Sequence, residues 1–298
     1  MITTTPFLVL LLVAWGAVAI PVDQSNTRAI AQQDLFNTTL FPTYYRFAAI
    51  SYTKDAKLVT AWNCPLCKDP SVADTRNATF TPSRDDGKEQ GYIAVSPSLK
   101  TIVFAVDGSN TVEEWLNNLK IWKRDLSVRG CASGIEVHVG FWDVWTQLRP
   151  TMEPVLVKYL KAFPDYSVSF IGHSLGGAVT LLAAVDFVNR GVVPASRSTL
   201  VSFGQPRVGN VEFAQCISKL GFKQVARVVN KSDIVIHLPP WFLDYRHHYH
   251  EYWINKAGVL ITNCNDNPNG KEADNCARTQ DTKLSIPDHK SYFGIKNP

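Results

Sequence analysis

The sequence predicts an α/β fold, a mostly parallel central sheet flanked by helices. Three observations carry the prediction. Short apolar runs rich in β-branched residues alternate with helix-period stretches from Tyr92 onward, the pattern of strands joined by crossover helices. One junction, residues 166–188, reads as a strand, a tight Gly-x-Ser-x-Gly turn and an apolar helix. The 298 residues are 45% hydrophobic and 11% aromatic, which is enough for a substantial core. No repeat, low-complexity block or linker divides the chain, so residues 20–298 are expected to form a single domain.

In chain order, residues 7–20 form an apolar run of signal-peptide length, and Ala17-Val18-Ala19 satisfies the small-x-small cleavage rule. Residues 1–19 are therefore expected to be a signal peptide. The run is short for a bilayer span, and no second one follows, so no transmembrane segment is expected and the mature chain is expected to be secreted. Residues 23–51 read as a helical lead-in, part of it a candidate propeptide. Residues 63–91 are polar, with Pro65, Pro70, Pro82 and Gly87, and read as loops. Strands are predicted over 92–95 and 101–106, the second ending at Asp107-Gly108-Ser109. Val112, Trp115, Leu116, Leu119 and Trp122 then fall at helical spacing. Glu113, Glu114, Asn117, Asn118 and Lys120 fill the other face, so an amphipathic helix is predicted over 111–122. A strand over 135–139 precedes a long helix over 141–163, which Pro150 and Pro154 should bend or restart. Beyond the Gly-x-Ser-x-Gly junction come a strand (199–203), a helix (211–220), a strand (224–229) and a hairpin pairing 250–254 with 259–262.

The formal charge of +4 is scattered and contains no basic run, which argues against a nucleic-acid partner. Six cysteines suit an oxidising compartment. Cys64 and Cys67 read as a local disulfide, since no second CxxC or histidine pair completes a metal site. Cys264 and Cys276 bracket a polar loop and should staple it; whether Cys131 and Cys216 pair stays open. Asn37 and Asn77 lie in glycosylation sequons. Asn230 does too, but beside the expected site, where no glycan is anticipated.

Ser174, at the centre of the Gly-x-Ser-x-Gly turn, is the candidate nucleophile. Such a turn crowds backbone on backbone, which is why Gly172 and Gly176 flank it. A serine hydroxyl is a poor nucleophile until an imidazole takes its proton and a carboxylate orients that imidazole. With the order serine, acid, histidine, Asp233 fits the acid because it follows a strand across a short turn. Asp186 lies inside the helix after Ser174 and faces the wrong way, while Asp244 and Asp266 remain weaker alternatives. His237, His247, His248, His250 and His289 all follow Asp233. His289 is favoured because its separation lets the chain cross the sheet, and His237 is too close to Asp233 to bridge to Ser174. His247, His248 and His250 do not converge on one strand face, so local hydrogen bonding is expected of them, not a metal. The oxyanion that forms on attack needs two backbone donors: Leu175, directly after the nucleophile, and Ser109, after an earlier strand. The helix beginning beside Ser109 then suits a lid over an apolar pocket, with Val112, Trp115, Leu116 and Leu119 on its apolar face.

These motifs resemble those of the class 3 lipases, the filamentous-fungal family that also holds feruloyl esterases and phospholipases A1. The resemblance runs from about Tyr92 to Phe293. It is carried by Gly172-His173-Ser174-Leu175-Gly176-Gly177, Phe203-Gly204-Gln205-Pro206-Arg207-Val208-Gly209, Asn230 with Asp233-Ile234-Val235 and Leu238-Pro239-Pro240, His247 with Glu251-Tyr252-Trp253, and Asp288-His289 with Tyr292-Phe293. It implies an α/β-hydrolase fold with a short helical lid at 112–119. It also implies a triad of Ser174, Asp233 and His289, oxyanion donors at Ser109 and Leu175, and no cofactor or metal. The activity it implies is secreted hydrolysis of acylglycerol (triacylglycerol) esters at lipid–water interfaces through an acyl-enzyme. Cys64 with Cys67 and Cys264 with Cys276 resemble two of the family's disulfides; no cysteine pair here matches a third, between the N-terminal region and the C-terminus. Asp107 stands where many members have arginine, which bears on how the lid is held, and Ile236-His237 departs from the usual Pro-x. A feruloyl esterase or phospholipase A1-type esterase is the alternative, and a non-catalytic lipid-binding relative the third reading. The tryptophans and leucines of the lid favour long acyl chains.

Overall fold

Strands covered on both faces must be apolar throughout, and the inner strands of this chain are. The computed structural model describes residues 36–83, 89–109, 111–280 and 283–297. The expected signal peptide, the candidate propeptide and the start of the lead-in lie outside the described residues.

The chain enters α1 (Phe41–Ile50), which has a proline in its first turn, where a missing N–H costs nothing. The short α2 (Ala56–Thr60) is capped by Asp55, which accepts from the N–H groups of Lys57 and Leu58. There follow β1 (Arg76–Pro82), β2 (Gln90–Ser96), β3 (Thr101–Val106), α3 (Val112–Asn118), β4 (Lys123–Asp125), β5 (Glu136–His138) and α4 (Val139–Ala162). Next come β6 (Ser167–His173), α5 (Leu175–Asn189), β7 (Ser198–Phe203), α6 (Val211–Lys219), β8 (Gln224–Asn230), β9 (Glu251–Ile254) and β10 (Leu260–Ile261). The C-terminal part holds α7 (Ala277–Gln280), α8 (Ile286–His289), β11 (Ser291–Tyr292) and β12 (Ile295–Lys296).

Among the described residues the main sheet has eight strands in the order β1-β2-β3-β6-β7-β8-β9-β10. β3, β6, β7, β8 and β9 run parallel, while β1, β2 and β10 are antiparallel additions at the two edges. The registers align Val106 with Gly172, and Phe203 with both His173 and Val228. The loops that leave β3, β6, β7 and β8 therefore emerge at one carboxyl edge, where parallel sheets place their sites. One apolar cluster packs α4, α5 and α6 on one face, joining Phe104, Trp145, Phe170 and Phe187. The second packs α1 on the other face, joining Phe47, Val103, Ile171 and Phe203.

Several elements differ from the sequence-based expectation. β1 falls in a predicted loop: it is an edge strand in which only Ala78 and Thr81 are buried, and it ends on a proline, tolerated only at an edge. β5 lies outside the main sheet and pairs with β4. α4 runs unbroken through Pro150 and Pro154. Both prolines are exposed, so the carbonyls they orphan can meet water, while Trp145, Leu148, Met152, Leu156 and Tyr159 hold the buried stripe. α3 stops at Asn118, short of the expected Trp122, because Leu119 turns extended. Residues 119–122 are recruited instead by the β4–β5 ribbon: the Trp122 carbonyl accepts from the Val139 N–H at 3.0 Å.

All six cysteines are paired. Cys64–Cys67 and Cys264–Cys276 close short loops, and Cys131–Cys216 joins the loop before β5 to α6. Cys131 and Cys216 are 85 residues apart, whereas Cys64 and Cys67 are 3 apart. Loop-closure entropy makes the long link the more stabilising. Replacing Cys131 and Cys216 with alanine should lower unfolding free energy by about 4 kcal/mol, and the Cys64/Cys67 double substitution by clearly less, on the entropic account. Urea midpoints at constant slope would check the order.

Candidate functional site

The sharp turn after β6 follows from local packing. A Cβ on Gly172 would overlap the Gly176 carbonyl, and one on Gly176 the Val106 carbonyl. Ser174 itself adopts φ 58° and ψ −130°, a conformation that costs a non-glycine residue about 1–3 kcal/mol. Its Oγ is buried and has no hydrogen-bond partner among the described residues.

Asp233 follows β8 and is fully buried. A carboxylate without water needs donors, and three groups supply them. His289 Nδ1 lies 2.9 and 2.8 Å from Oδ1 and Oδ2, the Val235 N–H donates to Oδ1 at 2.8 Å, and the Tyr292 hydroxyl donates to Oδ2 at 2.9 Å. With an acid accepting at Nδ1, the His289 proton sits there and Nε2 is left as the base. That Nε2 is buried and, like Ser174 Oγ, has no partner among the described residues. Gly204, at φ 55°, makes room for this contact: a Cβ there would lie 2.6 Å from Asp233 Oδ2 and 2.8 Å from the His289 ring.

Four residues to which the sequence analysis gave no role hold the arrangement. Asn230 donates from Nδ2 to the carbonyls of Asp288 and Ser291, both at 2.9 Å, which pins the turn carrying His289. Its sequon is thus occupied by structure, whereas Asn37 and Asn77 are exposed. His173 lies with its ring 4.4 Å from that of His289 and donates from Nε2 to the His289 carbonyl at 2.8 Å. Its Nδ1 then accepts from the Tyr52 hydroxyl at 2.7 Å. Burial, and next the neighbouring His289, push the His173 pKa well below its ordinary value, so the ring stays neutral. Tyr292 is the fourth. Burial and then the Asp233 charge hold its phenol far above the usual tyrosine range, which keeps it a donor. The family motifs already contain Asn230, His173 and Tyr292; no local pattern marks Tyr52.

Ser109 and Leu175, the expected oxyanion donors, line one cavity of about 230 Å³. Trp115, Leu119, Phe141 and Val144 supply its apolar walls. Gly108 sits against the elbow, where a Cβ would lie 3.0 Å from Ser174 Cβ. Of the expected lid residues, Val112 is buried, and Trp115, Leu116 and Leu119 are half-buried. Glu113 pairs with Lys290, the residue after His289, at 2.8 Å. Asp107 turns inward: it accepts from the Gln90 N–H at 2.9 Å and pairs with Lys54 at 2.9 Å, neither of them on α3.

The alternative acids lie elsewhere. Asp186 accepts from Trp145 and Arg190, Asp244 pairs with Lys123, and Asp266 accepts from the Glu251 N–H. His247 donates to the Ile236 carbonyl and His248 to that of Tyr249, the local bonding expected of them. The grouping of possible metal ligands found among the described residues, Glu251 with Cys264 and Cys276, has both sulfurs in a disulfide.

A family model described as Lipase (class 3) matches residues 103–243. A lipase of Rhizomucor miehei is 30% identical over 273 residues, covering 90% of this chain and 71% of the relative. One of Rhizopus niveus is 31% identical over 256 residues, covering 86% of this chain; the chain spans 63% of that relative's length. The crystal structure of a lipase from Rhizopus microsporus var. chinensis superposes with a TM-score of 0.76 at 31% identity, covering 91% of this chain and 88% of that one. A solved triacylglycerol lipase whose catalytic centre is described as a serine protease triad superposes with a TM-score of 0.74 at 29% identity, covering 93% and 97%.

Gly204→Ala should displace the Asp233–His289 contact and cut kcat by about 100-fold or more, as a misplacement of roughly 1 Å does, with KM little changed. Steady-state kinetics on a soluble ester would check it. Asp107 offers a second test. Burial raises its pKa to about 7, against the pull of Lys54, while the Glu89 charge adds to the rise. The folded state then binds the proton more tightly than the unfolded chain between about pH 4 and 7, so this group's contribution to stability falls as pH rises through that window. Asp107→Asn removes the slope. The stability of the parent relative to the variant should decline from pH 4 to pH 7 in denaturant titrations.

Proposed function

The chain belongs to the class 3 lipases, and from that premise we propose that it hydrolyses acylglycerol esters, with Ser174 as nucleophile, His289 as base and Asp233 as the acid that orients it. The observation that carries this reading is the pair of unmatched buried atoms, Ser174 Oγ and His289 Nε2, beside a fully satisfied Asp233–His289 contact. Unpaired buried polar atoms are rare, and a reaction that passes a proton between these two explains both.

The steps follow from the groups present. His289 Nε2 takes the Ser174 proton as Oγ attacks the ester carbonyl, and the imidazolium that forms is stabilised by Asp233. The negative charge on the carbonyl oxygen is met by the backbone N–H groups of Leu175, at the positive end of α5, and of Ser109. Collapse breaks the C–O bond, His289 returns the proton to the departing alcohol, and an acyl-enzyme remains on Ser174. Water, activated by the same imidazole, releases the fatty acid and restores the serine.

Substrate class is argued from the cavity walls. Trp115, Leu119, Phe141 and Val144 offer an apolar wall beside the oxyanion donors, which suits an acyl chain better than a hydrated acid. α3, carrying Val112, Trp115, Leu116 and Leu119, acts as the lid. The exposed Glu113–Lys290 pair, screened by water, tethers it only weakly, a latch that a lipid surface can release. Secretion is supported by the three disulfides and the leader-like start of the chain. Among the described residues no helix is long and apolar enough to cross a membrane.

Ser174→Ala should lower kcat by about 10⁴-fold or more while far-UV circular dichroism is unchanged, and a fluorophosphonate should label the parent at Ser174 only. Retained turnover in the folded variant refutes the assignment. The rate on a triglyceride should rise as substrate passes its solubility limit. Tri-, di- and monoacylglycerol, phospholipid and feruloyl esters compared at equal enzyme would rank the substrates, with triacylglycerol expected first.

A further inference from the structure

Large apolar side chains exposed together mark a contact surface. Two segments outside α3 expose four of them: Ile121 (44% exposed) and Trp122 (70%), and Trp241 (53%) and Phe242 (70%). The segments are joined. The Tyr245 hydroxyl donates to the carbonyls of Ile121 at 3.2 Å and Trp122 at 3.4 Å, and Lys123 pairs with Asp244 at 3.0 Å. They are also held in place. The Val139 N–H donates to the Trp122 carbonyl, and Arg246 Nη1 donates to the carbonyls of Trp241 and Tyr245 at 2.6 and 2.8 Å. Leu119 and Lys120 line the cavity beside the oxyanion donors, so the patch begins next to that cavity.

A second cavity, about 220 Å³ and the size of several water molecules, opens beside Trp241. Arg246, Lys271 and Arg278 line it, with Glu272 the acid among them. Glu272 is already matched: Arg207, buried, meets it through Nε at 2.6 Å and Nη2 at 2.8 Å, the His247 N–H donates to it at 2.9 Å, and Arg278 Nε stands farther off at 3.8 Å. Asp274 offsets part of Lys271 at 3.3 Å. The wall is therefore net cationic. The loop stapled by Cys264–Cys276 supplies Lys271 and Glu272, which gives that disulfide a purpose beyond stability.

We propose that this face docks on an anionic phospholipid surface, with Trp122, Trp241 and Phe242 entering the headgroup boundary and a headgroup phosphate in the cavity of Arg246, Lys271 and Arg278. Charge complementarity selects the occupant. Apolar groups alone would accept any lipid surface, whereas cations near the membrane plane each strengthen binding to anionic lipid about fivefold. The chain's modest overall charge does not contradict this, since Arg246, Lys271 and Arg278 line the one cavity. The anchor is separate from the lid and from turnover, and does not rest on the ester-hydrolase reading.

The test uses the full chain carrying Ser174→Ala, so that no lipid is consumed and a wrong catalytic assignment leaves the result intact. Co-sedimentation is measured with vesicles of phosphatidylcholine alone and of phosphatidylcholine with phosphatidylglycerol. The anionic vesicles should bind about tenfold or more tightly at low salt, with the difference shrinking as salt rises. Lys271→Gln with Arg278→Gln should weaken anionic binding by about 20-fold and leave neutral binding unchanged. Trp122→Ser with Phe242→Ser should weaken both. Lys271→Glu, which reverses one exposed charge, serves if the double substitution unfolds, and thermal melting reports that. Equal binding to the two compositions, or cation variants that bind anionic vesicles as the parent does, overturns the proposal. So does a dimer in sedimentation velocity that the Trp122/Phe242 substitutions dissolve, since the face would then belong to a second copy.

Discussion

A negative charge with no access to water shapes the carboxyl edge of this sheet. Asp233 is sealed; the imidazole and phenol that satisfy it come from the last stretch of the chain, and the backbone N–H from its own turn. To deliver His289 and Tyr292, the last stretch of the chain must cross the carboxyl ends of β6, β7 and β8. Asn230 and His173 then fix it by grasping the carbonyls on either side of, and at, His289. Removing one of these partners would leave a buried group unmatched, a penalty of about 1–3 kcal/mol and more for a charged one. The site is thus a condition of the fold as much as a product of it.

The same logic governs the loops behind the acid. Arg207 and Arg227 are wholly buried and meet Glu272 and Glu251. Such pairs contribute little net stability against an apolar replacement, because desolvation offsets their attraction. What they supply here is position. Arg207 also donates to the carbonyls of His237 and Pro239, and Arg227 to that of His248. Two guanidinium groups thereby fasten the stretch between Asp233 and β9 to the Cys264–Cys276 loop. The acid's own turn is held from beneath by groups that take no part in chemistry.

Much of this was legible in the sequence where a short-range rule decides the outcome. β3, β6, β7 and β8 read as apolar runs because both faces are covered, and the Ser174 turn reads from glycines that the crossing backbone requires. A strand end singled out Asp233 and chain separation favoured His289, and these two side chains lie in contact. The losses share a cause. β1 is an edge strand whose residues look like loop, and the apolar spacing of α3 continues to Trp122 although the backbone is claimed by β4 and β5 after Asn118. Tyr52, the bonds that His173 makes and the Cys131–Cys216 link make sense only once segments distant in the chain lie together, and no local pattern encodes those contacts.

The position of Ser174 follows from the balance between strain and packing. The positive φ at Ser174 opposes folding by about 1–3 kcal/mol. β6 and α5 on either side of it are buried almost throughout, and each apolar side chain removed from water contributes about 1.5–3 kcal/mol. One or two side chains of the elbow helix therefore offset the strain, and the remainder hold the bend whatever the hydroxyl does. That separation has a chemical consequence. Because the core fixes the backbone, Oγ need not be anchored by a hydrogen bond of its own, and it has none among the described residues. A hydroxyl tied to a structural acceptor would have to break that bond before attacking, which adds to the barrier. A hydroxyl held only through its backbone can turn to His289 at no such cost.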